Sequence, residues 1–215
     1  SSDLKGATTA ANIALGRCIK KVLADLENSA LTLLQTKKYV LNIETIIPSA
    51  EDVTDEVVGE ITTELMNVAL IGAQSVAQGL KSDLRKKVTQ SDVVPLVALQ
   101  VSENLSTPLR SRLERSIEQC NGDVAEMASL TRSTFREFKL QRIESVVSDL
   151  TLLAFSRGVF LALPNGSKIC WMVDPEGPSC ADAEDNSLAG TCLAGEPFPT
   201  DRKSTRLNSS HVSES

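Results

Sequence analysis

Histidine is almost absent from this chain: its 215 residues include one, His211. Aromatic residues make up 3%, with one Trp and one Tyr. Gly (11) and Pro (8) are too few for a fibrous or low-complexity chain. No apolar run approaches about 20 residues, so no transmembrane helix and no membrane partner are expected. No glycine loop of the phosphate-binding kind occurs. What is present reads as globular and soluble, with 41% hydrophobic and 23% charged residues. The length suffices for one domain or two small ones with a real core. The net charge of −6 argues against a dedicated nucleic-acid binder, although a local basic face stays open.

Both ends call for separate treatment. The chain opens Ser1-Ser2-Asp3 without Met, which reads as an incomplete N-terminus and leaves secretion open. At the other end, Asp201-Arg202-Lys203-Ser204-Thr205-Arg206-Leu207-Asn208-Ser209-Ser210-His211 matches one reading frame of a common sequencing adapter at every position. Residues 201–215 are therefore read as an artefactual tail and set aside. Without Arg202, Lys203, Arg206, Asp201 and Glu214 there remain 19 basic and 26 acidic residues, a net charge of −7. Residues 1–200 then contain no histidine, which excludes a Ser-His-Asp triad, a Cys-His pair and a His-based zinc site within them.

The body of the chain has helical periodicity. Leu15, Ile19, Val22, Leu26, Ala30 and Leu33 form one apolar stripe on a helix expected from about Leu4 to Tyr39. The β-branched run Val40–Pro48 reads as a short strand or an extended linker. Pro48-Ser49 opens a second helix, with Val58, Ile61, Leu65, Val68 and Gly72 on one face. Gly72 and Gly79 either permit close helix contact or weaken the helix. A third helix is expected after a Ser91 cap, with Val94, Val97, Val101 and Leu105 as its stripe. Pro108 is read as a break, starting a fourth helix capped by Thr107 that carries Leu109, Leu113 and Ile117 and ends at Asn121-Gly122. A long fifth helix follows Asp123, with Leu140, Ile143, Val147, Leu150 and Ala154 as a seam.

Aromatic usage then changes. Residues 1–134 hold one aromatic, Tyr39, whereas Phe135, Phe138, Phe155, Phe160, Trp171 and Phe198 all follow. Pro164-Asn165-Gly166 is a turn signal, and Lys168–Val173 reads as a strand. A boundary is expected near Gly122, separating a helical region 1–121 of unknown role from a module 122–200. The expected fold is mostly α, a helical bundle followed by a small α+β C-terminal module.

Candidate chemistry is sparse. Cys170, Cys180 and Cys192 lie within the small module, with Cys18 and Cys120 remote. They could contribute to a zinc site or a disulfide, but no C-x-x-C pair is present, and free thiols are the favoured reading. Asp174, Glu176, Asp182, Glu184, Asp185 and Glu196 form an acidic group on expected loops, suited to a cation or to acid/base work. An EF-hand is excluded: counting from Asp174, Ser179 and Asp185 stand where Gly and Glu are needed. Two basic clusters, Arg132/Arg136/Lys139 with Arg142 nearby and Lys81/Arg85/Lys86/Lys87, read as solvated helix faces able to meet phosphates.

One stretch carries a family likeness. It runs Trp171-Met172-Val173-Asp174-Pro175-Glu176-Gly177-Pro178-Ser179-Cys180-Ala181-Asp182-Ala183-Glu184-Asp185-Asn186, then Leu188-Ala189-Gly190, then Ala194-Gly195-Glu196-Pro197-Phe198-Pro199. This resembles the C-terminal domain of phage Mu F-type minor head (head morphogenesis) proteins. That family's pattern is a strand ending in Trp, a following Cys often in C-x-x-C, an acidic residue and Gly, then Phe-Pro and His-Pro-x-Cys-Arg-Cys, all after a long helix. The likeness covers about residues 123–199. It marks Trp171, Asp174, Cys180, Asp182, Asp185, Asn186, Gly190, Gly195, Phe198 and Pro199 as motif positions. Cys180 alone carries over as a metal or thiol position; the second cysteine of C-x-x-C is Ala183, and the closing motif is absent.

The resemblance implies a non-enzymatic structural protein near the portal of a phage head, cytoplasmic or in the virion, with itself or a portal-like protein as partner. Related modules in bacterial chromosomal proteins supply an alternative, an intracellular metal- or redox-linked adaptor. A hydrolase using the loop carboxylates is a third reading. No cofactor is expected of this chain, with zinc reserved for a longer protein that completes the cysteine set. Read physically, Trp171 is expected to pack on the long helix near Leu150, Ala154 and Val159. Gly177, Gly190 and Gly195 turn the loops, and Phe198-Pro199 closes the module.

Overall fold

The structure, a computed structural model, describes residues 2–36, 43–77, 81–173, 181–198 and 200. The chain is mostly α-helical with a small α+β C-terminal part, in two compact units, Ser1–Ala162 and Leu163–Ser215. The elements of the first unit are α1 (Ser2–Thr36), α2 (Ile43–Ile46), α3 (Ala50–Val76), α4 (Lys81–Thr89), α5 (Val93–Val101), α6 (Thr107–Gln119), α7 (Val124–Glu137) and α8 (Ile143–Ala162). The second unit holds β1 (Lys168–Cys170), α9 (Ala181–Leu188) and β2 (Thr191–Leu193). The boundary expected near Gly122 therefore falls at Ala162/Leu163, because α7 and α8 pack on α1 and α3 and share their core.

Apolar side chains repeated at three and four residues bury one face of each long helix. On α1 the stripe is Leu15, Ile19, Val22, Leu26, Ala30 and Leu34, with Leu34 rather than Leu33 buried. On α3 it is Val57, Val58, Ile61, Leu65, Val68 and Gly72. Ser49 starts α3 with a capping box: its hydroxyl accepts from Asp52 N at 3.0 Å, and the Asp52 carboxylate accepts from Ser49 N at 3.3 Å. The segment read as strand or linker instead forms the helical turn α2, with residues 37–42 outside the described residues. Ile43, Ile46 and Ile47 are buried there. Arg110 on α6 secures this turn, donating to the carbonyls of Ile47 (3.1 Å) and Pro48 (2.7 Å) and to the Glu44 carboxylate.

Two π-turns correct the sequence expectations. Pro108 does not break the chain into two helices. One helical rod runs 93–119, with a π-turn at Ser102–Ser106 just before Thr107, whose φ and ψ are helical. Val93, Val97, Val101, Leu105, Leu109, Leu113 and Ile117 recur at a strict four residues and all are buried. That spacing drifts about 40° per step on an α-helix, and the wider π-turn absorbs part of the drift. Val93, rather than Val94, takes the buried place. The second π-turn, Phe138–Arg142, joins α7 to α8. Phe138 and Ile143 are both buried five residues apart, and Leu140, expected in the seam, is 72% exposed. The extra residue turns it out to solvent.

The closest packing is between α3 and α8, which run antiparallel: Gly72 meets Phe155, and Gly158 meets Ala69. The rod 124–162 contains an 18-residue window of mean hydropathy 1.4, long and apolar enough to cross a membrane by those measures. Ile143, Val146, Val147, Leu150 and Ala154 of that rod are buried in the core of the first unit.

Candidate functional site

The second unit holds the motif residues. Pro164-Asn165-Gly166 makes the expected turn, with Gly166 at φ 79° and Ser167 N donating to the Pro164 carbonyl at 3.1 Å. β1 then pairs antiparallel with β2, Ile169 opposite Cys192 and Cys170 opposite Thr191. The expected strand through Val173 is regular only to Cys170. Ala194 N extends the ladder by donating to the Ser167 carbonyl at 2.9 Å.

Trp171 follows β1, and its indole meets the Phe198 ring edge-on, with centroids 5.6 Å apart and planes at 78°. Two ends of the motif, 27 residues apart, are thus brought together. Trp171 remains 44% exposed. Leu150 and Ala154, expected near the indole, are buried side chains of the first unit.

Asp182, Asp185 and Asn186 lie on α9, so the carboxylates read as loop groups are helical. Asp182 and Asp185 are exposed and one turn apart. Asn186 faces inward and is 5% exposed; its side-chain carbonyl accepts from Thr200 N (3.3 Å) and Thr200 Oγ1 (3.2 Å). Gly190 ends α9 at φ 77°, and Gly195 turns the chain after β2 at φ 97°; a left-handed backbone favours glycine at both. Asp174, Cys180 and Pro199 lie outside the described residues, as do Glu176, Gly177 and the tail 201–215.

Among the described residues, the two cysteines of the hairpin do not converge. Cys170 and Cys192 stand at neighbouring registers of the hairpin, where side chains alternate between faces, so they point apart and are free thiols. Cys120 is buried and donates to the Ser116 carbonyl at 3.1 Å; burial, with Glu126 and Asp123 nearby, pushes its thiol above the ordinary value. Among the described residues no group of three or more His, Cys, Asp or Glu side chains is placed to hold a metal ion.

The first unit separates the basic residues that the sequence grouped. Lys139 turns to α1 and pairs with Glu27 at 2.6 Å, while Arg142 lies over the Phe138 ring at 5.4 Å. Arg142 enters a cleft of about 260 Å³ between the π-turn Phe138–Arg142 and α6, where Ser111, Arg112 and Arg115 also line the wall. Arg112 and Arg115 escaped the sequence reading because the acidic residues around them mask any linear basic cluster. Comparison of the chain with protein-family models, with curated proteins and with solved structures finds no match.

Proposed function

We propose that this chain is a non-enzymatic assembly protein of the phage minor head kind, working by docking its C-terminal unit on a protein partner, either another copy or a portal-like protein. One observation carries the reading. Five of the twelve exposed large hydrophobics among the described residues (Trp171, Met172, Val173, Leu188 and Leu193) fall in that short unit. The one buried side chain among its described residues is Asn186, which is polar. A unit that exposes its apolar groups and buries a polar one gains stability by covering that surface with a partner.

The test uses the purified chain, alone and with the portal protein encoded in the same genome. Light scattering during size-exclusion chromatography should find self-association or co-elution. The double substitution Trp171→Ser, Leu188→Ser should reduce it at least about tenfold in affinity. A monomer that co-elutes with nothing, or a complex indifferent to both substitutions, would sink the reading. Long-read sequencing across codon 200 and into the adjacent genes provides a separate check: portal and packaging genes beside this one favour it.

The same shortage of apolar core favours one alternative, a metal- or redox-linked adaptor. Small units are commonly held together by zinc or by disulfides, and Cys170 and Cys192, on opposite faces of the hairpin, would each take a separate partner. Zinc bound stoichiometrically by the purified protein would support the adaptor over the assembly role.

A further inference from the structure

We infer that the cleft lined by Ser111, Arg112, Arg115 and Arg142 is a binding site for a phosphoryl oxyanion. This goes beyond the docking role of the C-terminal unit and does not depend on it.

Charge makes the first argument. Three arginines from two separate segments line one cleft, and the single acidic residue in its lining is Glu137. Glu137 meets Arg112 at 3.8 Å, leaving a formal charge of +2 in a chain whose net charge is −6. Like charges gathered in a concavity repel one another unless an anion joins them. A phosphate dianion balances that +2.

Geometry makes the second. Arg115 is anchored through Nε, which donates to the Ser111 carbonyl at 3.2 Å, so its terminal nitrogens remain available to a ligand. Arg142 is steadied by the Phe138 ring beneath its guanidinium. Both forks are oriented before any ligand arrives, and a planar fork suits the paired oxygens of a phosphoryl group. The Ser111 hydroxyl adds a donor on the same wall. A volume of about 260 Å³ holds one phosphoryl group with accompanying water.

The π-turn makes the third. Phe138–Arg142 has one residue more than an α-helical turn requires, and it carries Arg142 to the cleft while Lys139 faces Glu27 on α1. Such turns recur where a helix must aim a side chain at a ligand.

The experiment titrates the full chain with inorganic phosphate, and separately with a mixed-sequence DNA duplex, by calorimetry at constant ionic strength. Saturable phosphate binding is expected, weakened about tenfold by Arg115→Gln and by Arg142→Gln. Lys21→Gln, at an exposed residue outside the cleft, should leave it unchanged. Saturation by DNA alone, lost in the same two variants, would assign the phosphoryl group to a nucleic-acid backbone rather than a free ligand. Circular dichroism verifies folding first; if a Gln variant fails to fold, Arg115→Lys and Arg142→Lys replace it, with an intermediate loss expected because the charge stays and the fork goes. No saturable binding of either probe, or binding indifferent to these substitutions, overturns the proposal.

Discussion

Gly72 and Gly158 lie on facing helices, and each sits against the backbone of the other's helix. A Cβ added at Gly72 would lie 3.0 Å from the Phe155 carbonyl carbon, and one at Gly158 would lie 2.6 Å from that of Ala69. The obstacle in each case is main chain, which cannot swing aside. In an open helix interior Gly→Ala stabilises by about 0.5–1 kcal/mol. Here overpacking opposes that gain and prevails, so Gly72→Ala and Gly158→Ala should each destabilise by about 1–3 kcal/mol in urea unfolding. Gly59, also on α3 but with open space around it, sets the contrast: Gly59→Ala should stabilise. Equal signs at all three positions would refute the close packing of α3 on α8.

The Asp92–Arg157 pair should appear in the pH dependence of stability. Arg157 donates to both Asp92 carboxylate oxygens, at 2.7 and 3.0 Å, and this bonding holds the Asp92 carboxyl below its ordinary value of 3.8. A lowered folded-state value means a contribution present above pH 3.8 and lost as pH falls through the lower one. Asp92→Asn should therefore cost up to about 1 kcal/mol at pH 7. The gap from the parent should close in strong acid, and a gap that persisted there would refute the assignment.

Arg110→Met keeps much of the buried stem but leaves the Ile47 and Pro48 carbonyls without this donor. A loss of about 1–3 kcal/mol is expected, with the α2 turn exchanging its amide hydrogens faster than the rest of the first unit. Unchanged exchange at Ile46 and Ile47 would show that Arg110 does not secure the turn.

Deleting Leu140 should be tolerated better than deleting Ser148. The first deletion removes the extra residue of the π-turn and leaves Phe138 and Ile143 four apart, still on one face. The second rotates Leu150, Ala154 and Gly158 about 100° away from α3. Circular dichroism and thermal melting should show native helicity in the first variant and collapse in the second.

Trp171 is the one tryptophan, so its fluorescence reports on the second unit. Phe198→Ala removes its edge-on ring neighbour and should shift its emission toward that of free indole, while the helical melt of the first unit stays unchanged. An unaltered spectrum would show that the two rings do not meet.

The helical class, the long apolar stripes, the Ser49 and Asp123 starts and the Asn121-Gly122 stop follow from residue order alone, because they depend on neighbours three and four positions away. The turn at Gly166 and the left-handed glycines Gly190 and Gly195 are equally local. Tertiary structure decided what requires distant partners. Leu140 has a seam's spacing but lies in solvent, since one extra residue between Phe138 and Ile143 changes which side chains meet α1 and α3. Lys139 and Arg142 are neighbours on paper and serve different elements. Gly72 was ambiguous between weakening a helix and admitting a neighbour until Gly158, 86 residues away, supplied the opposing backbone. The arginine cleft has no linear signature either, because Arg112 and Arg115 come from one rod and Arg142 from another, and folding alone brings their charges together.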